Sequence, residues 1–358
     1  METKHLQEWE EELNICIRCS YCFEGCPVFK ELGWEIDGPK GKLNAVFGLL
    51  TGALEPTEYI TEKIFQCTFC KDCVERCSAN VSVPSILSAA RADLMEAGYV
   101  KEENTKILDD IETSGNIFNK ENLKPPEFNE ERQVLLGCRL LGRPEDSEKY
   151  LKVLKTLGIK PKTFDETCCG MPFSVLGDQK RFAEQQDKFR ATIPDKDKEI
   201  ICLCTTCAYF IDKTYPDLKA KYVITEIAER LENYDGEIKQ LNKKLTYHDP
   251  CNLARGMDVV DEPRQVLKKI GVELVEMPTH GKQAECCGGG GGLLVTDNPL
   301  GIKLATKRVN QALDSGVDTL VTLCPTCEFN IGNASKENGS KLDVGNLMDL
   351  VYEAIVKE

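Results

Sequence analysis

Histidine is nearly missing from this 358-residue chain, which holds only His5, His248 and His280. Any metal site must therefore be built almost wholly from thiolates, which selects zinc or iron–sulfur clusters over copper, nickel or oxygen-ligated metals. Long apolar runs are also lacking: no stretch of the roughly 18 residues that a spanning helix needs is present, and no basic segment leads into a short apolar one. The expected location is the cytoplasm, with a peripheral place on a membrane complex left open. Excess positive charge is absent as well. The formal net charge of -14 argues against nucleic acid and anionic membrane surfaces as partners, since both repel it. No G-x-G-x-x-G sits between a strand and a helix, so the chain is not expected to hold flavin or nicotinamide itself.

What is present in excess is cysteine, with 19 residues. Secreted scaffolds of such density are usually domains of under about 80 residues. A long, charged chain with an odd cysteine count fits metal binding or catalysis instead. The length allows two or three domains.

Eight cysteines fall in the first 98 residues. Cys16, Cys19, Cys22 and Cys26 precede Pro27 in the spacing C-x2-C-x2-C-x3-C-P, and Cys67, Cys70, Cys73 and Cys77 repeat it with Ser78 in place of the proline. This is the bacterial ferredoxin run, in which three close thiolates wrap one cubane and the fourth reaches the neighbouring one. The expected ligand sets are Cys16, Cys19, Cys22 and Cys77 for one [4Fe–4S] cluster, and Cys67, Cys70, Cys73 and Cys26 for the other. Zinc knuckles are the competing reading, but they need only four looser ligands and usually include a histidine. Two such clusters form a relay for single electrons and offer neither open iron nor a general acid. Chemistry has to lie elsewhere in the chain.

Residues 99–131 are charged, contain Pro125-Pro126 and read as a linker with at most one helix. Beyond it the chain repeats. VLKTLGI at 153–159 returns as VLKKIGV at 266–272, and Cys138 returns as Cys251 at the same offset (251 less 138 is 113). Each copy runs from an apolar strand into a cysteine, through a helix to a Cys-Cys-Gly, then through a helix and a second strand to C-x2-C. The first set is Cys138, Cys168, Cys169, Cys204 and Cys207, and the second is Cys251, Cys286, Cys287, Cys324 and Cys327. Strand–helix alternation predicts two related α/β domains with parallel sheets, over 132–245 and 246–358, behind a helical two-cluster domain over 1–98. The expected fold class is thus α+β multidomain. Ligands of such sheets gather outside the carboxyl ends of the strands, where these cysteines fall. Adjacent cysteines rarely pair with each other, and five thiolates exceed what one tetrahedral zinc uses, so a polynuclear site is favoured. Cys202 is left over and reads as buried packing.

The order of the two motif classes, over nearly the whole chain, resembles the CCG-domain proteins and most closely the D-subunit family of heterodisulfide reductases, a fusion of the reductase's C-like and B-like parts. The resemblance implies that each complete five-cysteine set holds a noncubane [4Fe–4S] cluster, and that both sets flank a pocket in which a heterodisulfide like that of coenzymes M and B is cleaved to two thiols. It also implies an anaerobic setting such as methanogenesis, and a redox partner such as a flavoprotein, a membrane cytochrome b or a hydrogenase module. The stoichiometry agrees, since disulfide reduction takes two electrons and two protons. Two alternatives stand beside this reading: the iron–sulfur subunit of a flavin-linked glycolate- or lactate-type dehydrogenase, and a zinc scaffold for partner binding.

Weaker signals remain. Gly288–Gly292 reads as a place of close backbone approach rather than a flexible turn, because ordering a glycine run costs entropy. His248 with Asp249, or His280, are proton-relay candidates, each set against an ordinary structural histidine. Arg143 and Arg255, shortly after Cys138 and Cys251, are candidates to face an anionic substrate, with a plain surface arginine as the alternative. Gly38-Pro39-Lys40-Gly41-Lys42 reads as a basic turn.

Overall fold

The computed structural model describes residues 1–357. The chain forms two compact units, one of Met1–Asp109, Gly170–Glu184 and Glu285–Arg308, the other of Asp110–Cys169, Gln185–Ala284 and Val309–Glu358.

The first unit is helical. Its longest helix, Val83–Glu96, starts with proline in its first turn and buries Val83, Ile86, Leu87, Ala90 and Leu94 along one stripe. It ends where Gly98 turns left-handed (φ +79) and Tyr99 N–H reaches back to the Leu94 carbonyl. The helix Glu58–Phe65 is capped by Thr57, whose hydroxyl accepts from Ile60 N–H at 3.2 Å. Residues 38–42 are not a turn. Pro39 is the first residue of a helix, Pro39–Leu50, and Gly38 precedes it in extended conformation. Glycine is required at 41 because a Cβ there would sit 2.0 Å from the Glu35 carbonyl oxygen. The 3-10 turn Glu35–Asp37 packs directly on the helix at that point. Two short stretches, Gly170–Glu184 from the glycine of the first Cys-Cys-Gly and Glu285–Arg308 with the whole of the second, complete this unit. Leu293, Leu300 and Leu304, from the second, bury Val28 of the ferredoxin-type segment.

The second unit contains two four-stranded sheets, parallel throughout. The first is ordered β2-β1-β3-β4, with β1 Arg132–Leu135, β2 Pro161–Lys162, β3 Ile200–Cys202 and β4 Ala220–Tyr222. The second is ordered β6-β5-β7-β8, with β5 Lys243–His248, β6 Val272–Leu274, β7 Thr319–Thr322 and β8 Asp343–Asn346. The repeat in sequence is therefore a repeat in topology. Its central strands read VLL and IIC, then LTYH and LVT, and nearly all of these residues are buried, as strands covered on both faces must be. The helices Pro144–Thr156 and Asp261–Lys269 carry the two VLK segments. In each sheet the strand order reverses between the first strand and the third, the crevice where ligands of open α/β sheets bind. Tyr222, at the end of β4, donates to the Leu323 carbonyl just past β7 at 2.7 Å, and so joins the two copies.

Candidate functional site

The eight N-terminal cysteines line two cavities of the first unit. Cys26, Cys67, Cys70 and Cys73 line one; Cys16, Cys19, Cys22 and Cys77 line the other, with Cys73 at its edge. The local backbone explains how so short a spacing wraps a compact object. Arg18 and Ser20 in the first motif, and Phe69 and Lys71 in the second, all have positive φ, between 55° and 71°. These are equivalent positions of the two runs. A non-glycine residue held left-handed costs roughly 1–2 kcal/mol, so four of them in matching places mark loops shaped around something. Alternation of right- and left-handed residues makes successive N–H groups converge, the geometry that receives anionic sulfur. Cys19 is exposed whereas Cys70 and Cys73 are buried, so one cavity faces solvent and the other lies inside.

The inner cavity also gathers positive charge. Lys42, 2% exposed, lines it and donates to the carbonyls of Ile36 and Asp37. Arg91 is fully buried. It donates to the Ile64, Phe65 and Cys67 carbonyls, and also to Val175 and Gly291, which follow the two Cys-Cys-Gly motifs. Its guanidinium stacks over Phe65 and Phe69 at 4.8 and 4.3 Å from the ring centres. Burial lowers it to about 10, opposed by the Cys67 thiolate, and it stays cationic at neutral pH. In the other direction, burial pushes Cys26 up to about 12 against the pull of Lys42. Four thiols around one secluded cavity, two buried cations beside them and inward-turned amides fit a [4Fe–4S] cluster.

The glycine run has a definite task. A Cβ on Gly291 (φ +61) would lie 2.2 Å from the Cys67 carbonyl oxygen, and one on Gly290 would lie 2.5 Å from that of Thr68. The run lets the loop after the second Cys-Cys-Gly press against the second ferredoxin-type motif. At its start Gly288 N–H and Gly289 N–H point at the sulfurs of Cys286 and Cys287, each at 3.4 Å.

In the second unit the first five-cysteine set comes together. Cys138 follows β1 and Cys204 follows β3, at the reversal of strand order. The sulfurs of Cys169 and Cys207 are 3.7 Å apart. Contact with Cys138 and then Cys169, ahead of burial, pushes the Cys168 thiol well up; Cys169 and Cys204 do the same to Cys207. A Cβ at Gly137 (φ +80) would meet Cys204 and Cys207 at 2.9 and 3.1 Å, so only glycine turns the chain into this site. The loop is held from behind. Leu136 and Gly137 N–H donate to Glu166 at 2.9 and 2.8 Å, Gln185 to the Cys168 carbonyl at 2.7 Å, and Tyr215 to the Cys169 carbonyl at 2.8 Å. Thiols as crowded as Cys168 and Cys207 need a cation beside them to become thiolates, the chemistry an iron centre supplies. In the second copy Cys251 follows β5, and Cys324 and Cys327 follow β7. Cys202 ends β3 fully buried.

The arginines are arranged differently from the expectation. Arg143 is engaged by Glu328 and by Asp146, and Arg255 donates to the carbonyls of Lys282 and Ala284. Arg139 is a cation that feels cysteines of both sets. Burial lowers its pKa, while Cys324, then Cys204 and Cys138, hold it up. Its guanidinium lies over the Phe329 ring at 4.6 Å. It escaped notice in the sequence because it stands one residue past a cysteine, in no recognisable motif. Asp249 accepts from Arg264 and from Gly281 N–H, a structural role, and His248 is buried. His280 is half-exposed, 3.9 Å from Glu276.

These features define an eight-cysteine ferredoxin-type module and a pair of cysteine-rich domains. The cysteine-rich domain family matches residues 133–212 and 245–332, and the 4Fe-4S dicluster domain family matches residues 12–81. The chain belongs to the CCG-domain iron–sulfur proteins of the heterodisulfide reductase D-subunit family, as an iron–sulfur electron-transfer subunit with 4Fe–4S chemistry. It is 27% identical over 398 residues to the D subunit of the dihydromethanophenazine:CoB–CoM heterodisulfide reductase of Methanosarcina barkeri, across 99% of this chain and 97% of that one. It is 28% identical to the B subunit of the fumarate reductase (CoM/CoB) of Methanothermobacter marburgensis, across 96% of this chain and 73% of that one. The glycolate oxidase iron-sulfur subunit of Escherichia coli is 23% identical, across 98% and 96%. A crystal structure of a hypothetical protein from Helicobacter pylori shares the fold, with TM-score 0.61, 12% identity, and coverage of 100% of this chain and 77% of that one. Among the described residues no helix is long and apolar enough to cross a membrane.

Proposed function

We propose that this chain is the component of a disulfide reductase that passes electrons from a partner through two cubane [4Fe–4S] clusters to two noncubane [4Fe–4S] clusters, where a heterodisulfide is cleaved to two thiols. Cys16, Cys19, Cys22 and Cys77 hold the outer cubane, and Cys26, Cys67, Cys70 and Cys73 the inner one. Cys138, Cys168, Cys169, Cys204 and Cys207 hold the first noncubane cluster, and Cys251, Cys286, Cys287, Cys324 and Cys327 the second. The observation that carries the reading is the convergence of all five cysteines of the first set at the strand-order reversal, with a second complete set in the repeated sequence. When bound, the clusters supply single electrons and soft iron sites for sulfur. The chain positions the cluster loop through Glu166, Gln185 and Tyr215, and Arg139 offers a cation to an anionic substrate group. The relatives named for coenzymes M and B support the mixed disulfide of those two thiols as the substrate class. The donor is a flavoprotein, cytochrome b or hydrogenase module of the same complex, and the chain acts in the cytoplasm, peripherally where that complex is membrane-bound.

The second reading, an electron-transfer subunit of a glycolate- or lactate-type dehydrogenase, is supported by the full-length likeness to the glycolate oxidase iron-sulfur protein. Anaerobic oxidation of a reduced viologen separates the two. Turnover that depends on the mixed disulfide supports the reductase; a reducible protein that no disulfide reoxidises supports the relay.

A further inference from the structure

Burial makes a cluster harder to reduce, because each added electron raises the negative charge of the centre. Four thiolates on a [4Fe–4S] core leave it anionic in both oxidation states, and low dielectric penalises the more charged one. Of the two ferredoxin-type cavities, the one lined by Cys26, Cys67, Cys70 and Cys73 suffers this more, since Cys70 and Cys73 are buried and Cys19 of the other cavity is exposed. Without compensation the inner centre would be the harder of the two to reduce.

We propose that Lys42 and Arg91 supply that compensation: their two buried charges raise the reduction potential of the inner cluster and leave that of the outer one unchanged. Lys42 lines the inner cavity, and its ammonium donates to main-chain carbonyls. The nearby Asp37 carboxylate is taken by Lys63 at 2.8 Å. Arg91 donates to five main-chain carbonyls, among them that of the ligand Cys67. Carbonyl dipoles satisfy a cation without neutralising it, so both retain net charge for the centre beside them. The outer cavity is lined by Arg18 and Lys40 instead. Both are partly exposed, and Lys40 is paired with Glu35 at 3.2 Å, so water and the carboxylate screen them. Arg91 also donates to Val175 and Gly291, so the residue that poises the inner centre holds the loops that follow both Cys-Cys-Gly motifs. It is a positioning residue in both respects.

The inference rests on the assignment of Cys26, Cys67, Cys70 and Cys73 as cluster ligands. The test is an anaerobic redox titration of the full-length holoprotein followed by EPR, with the outer signal identified as the one altered in Cys19→Ser. In Lys42→Gln the reduced-to-oxidised ratio of the inner cluster at fixed potential falls at least tenfold, about 59 mV for a one-electron couple, while the outer cluster titrates as before. Lys42→Arg and Arg91→Lys, which keep the charge, restore the parental value to within a few-fold. Arg91→Gln lowers the inner potential in the same direction; if it does not fold, Lys42→Gln alone decides. Equal shifts in both clusters, or none in either, overturn the inference. A protein that holds zinc, or only one reducible cubane, overturns the ligand assignment beneath it instead.

Discussion

Arg139 shows how one side chain's surroundings, rather than its neighbours in sequence, define its use. Arg143, one helical turn on, is committed to Glu328 and Asp146, whereas Arg139 stacks on Phe329 and feels cysteines of both sets. A charge-assisted hydrogen bond is worth about 1.5–3 kcal/mol. Arg139→Gln is therefore expected to raise KM for an anionic disulfide roughly tenfold or more, with kcat changed much less, in steady-state assays with a viologen donor. Arg139→Lys retains most of the affinity. The cysteines make a sharper prediction. Cys168→Ser should remove about four of about sixteen irons, counting four [4Fe–4S] clusters, and leave both relay signals in the EPR spectrum of the reduced protein. Loss of the relay signals as well would mean that the two sites are not independent. Little of this was legible in the sequence beyond the cysteines themselves. A fully buried arginine such as Arg91 leaves only a faint trace, a charge among Ala89, Ala90 and Ala92 on a helix whose inward positions, Asp93 apart, are mostly apolar.

Among the elements, the repeated units were legible because two independent signals agreed. The VLK helices and the first cysteine of each set share one offset, 113, and a largely apolar strand stands before each C-x2-C. Local rules failed at residues 38–42, where Gly-Pro-Lys-Gly-Lys has the composition of a turn but opens a helix. Proline suits a first helical position, and Gly41 is present for packing against Glu35, so breaker residues here mark a helix start and a close contact. The glycine run after the second Cys-Cys-Gly is legible in kind, as a site of close approach, but its target at Cys67 is not. That contact predicts unequal costs for similar substitutions. Gly339→Ala, at φ +62 with nothing near its Cβ position, should cost only the left-handed penalty of roughly 1–2 kcal/mol. Gly291→Ala adds overpacking against the Cys67 carbonyl, about 1–3 kcal/mol more. Thermal unfolding of the anaerobic holoprotein ranks the two, and equal losses would remove the contact from the account.

Taken whole, the chain places a solvent-facing cavity and a buried one in its helical unit, and a five-thiol cluster at the strand reversal of the first of two matching parallel sheets. The claim that matters most is that substrate sulfur meets the cysteine-rich clusters. Anaerobic EPR of the oxidised holoprotein, before and after addition of each thiol half of the mixed disulfide, tests it directly. The account predicts a new paramagnetic signal that appears only with thiol and disappears in Cys168→Ser or Cys286→Ser, on a protein of about sixteen irons. A protein replete in iron whose spectrum no thiol changes would contradict it, and would make the chain a relay for a hydroxyacid dehydrogenase.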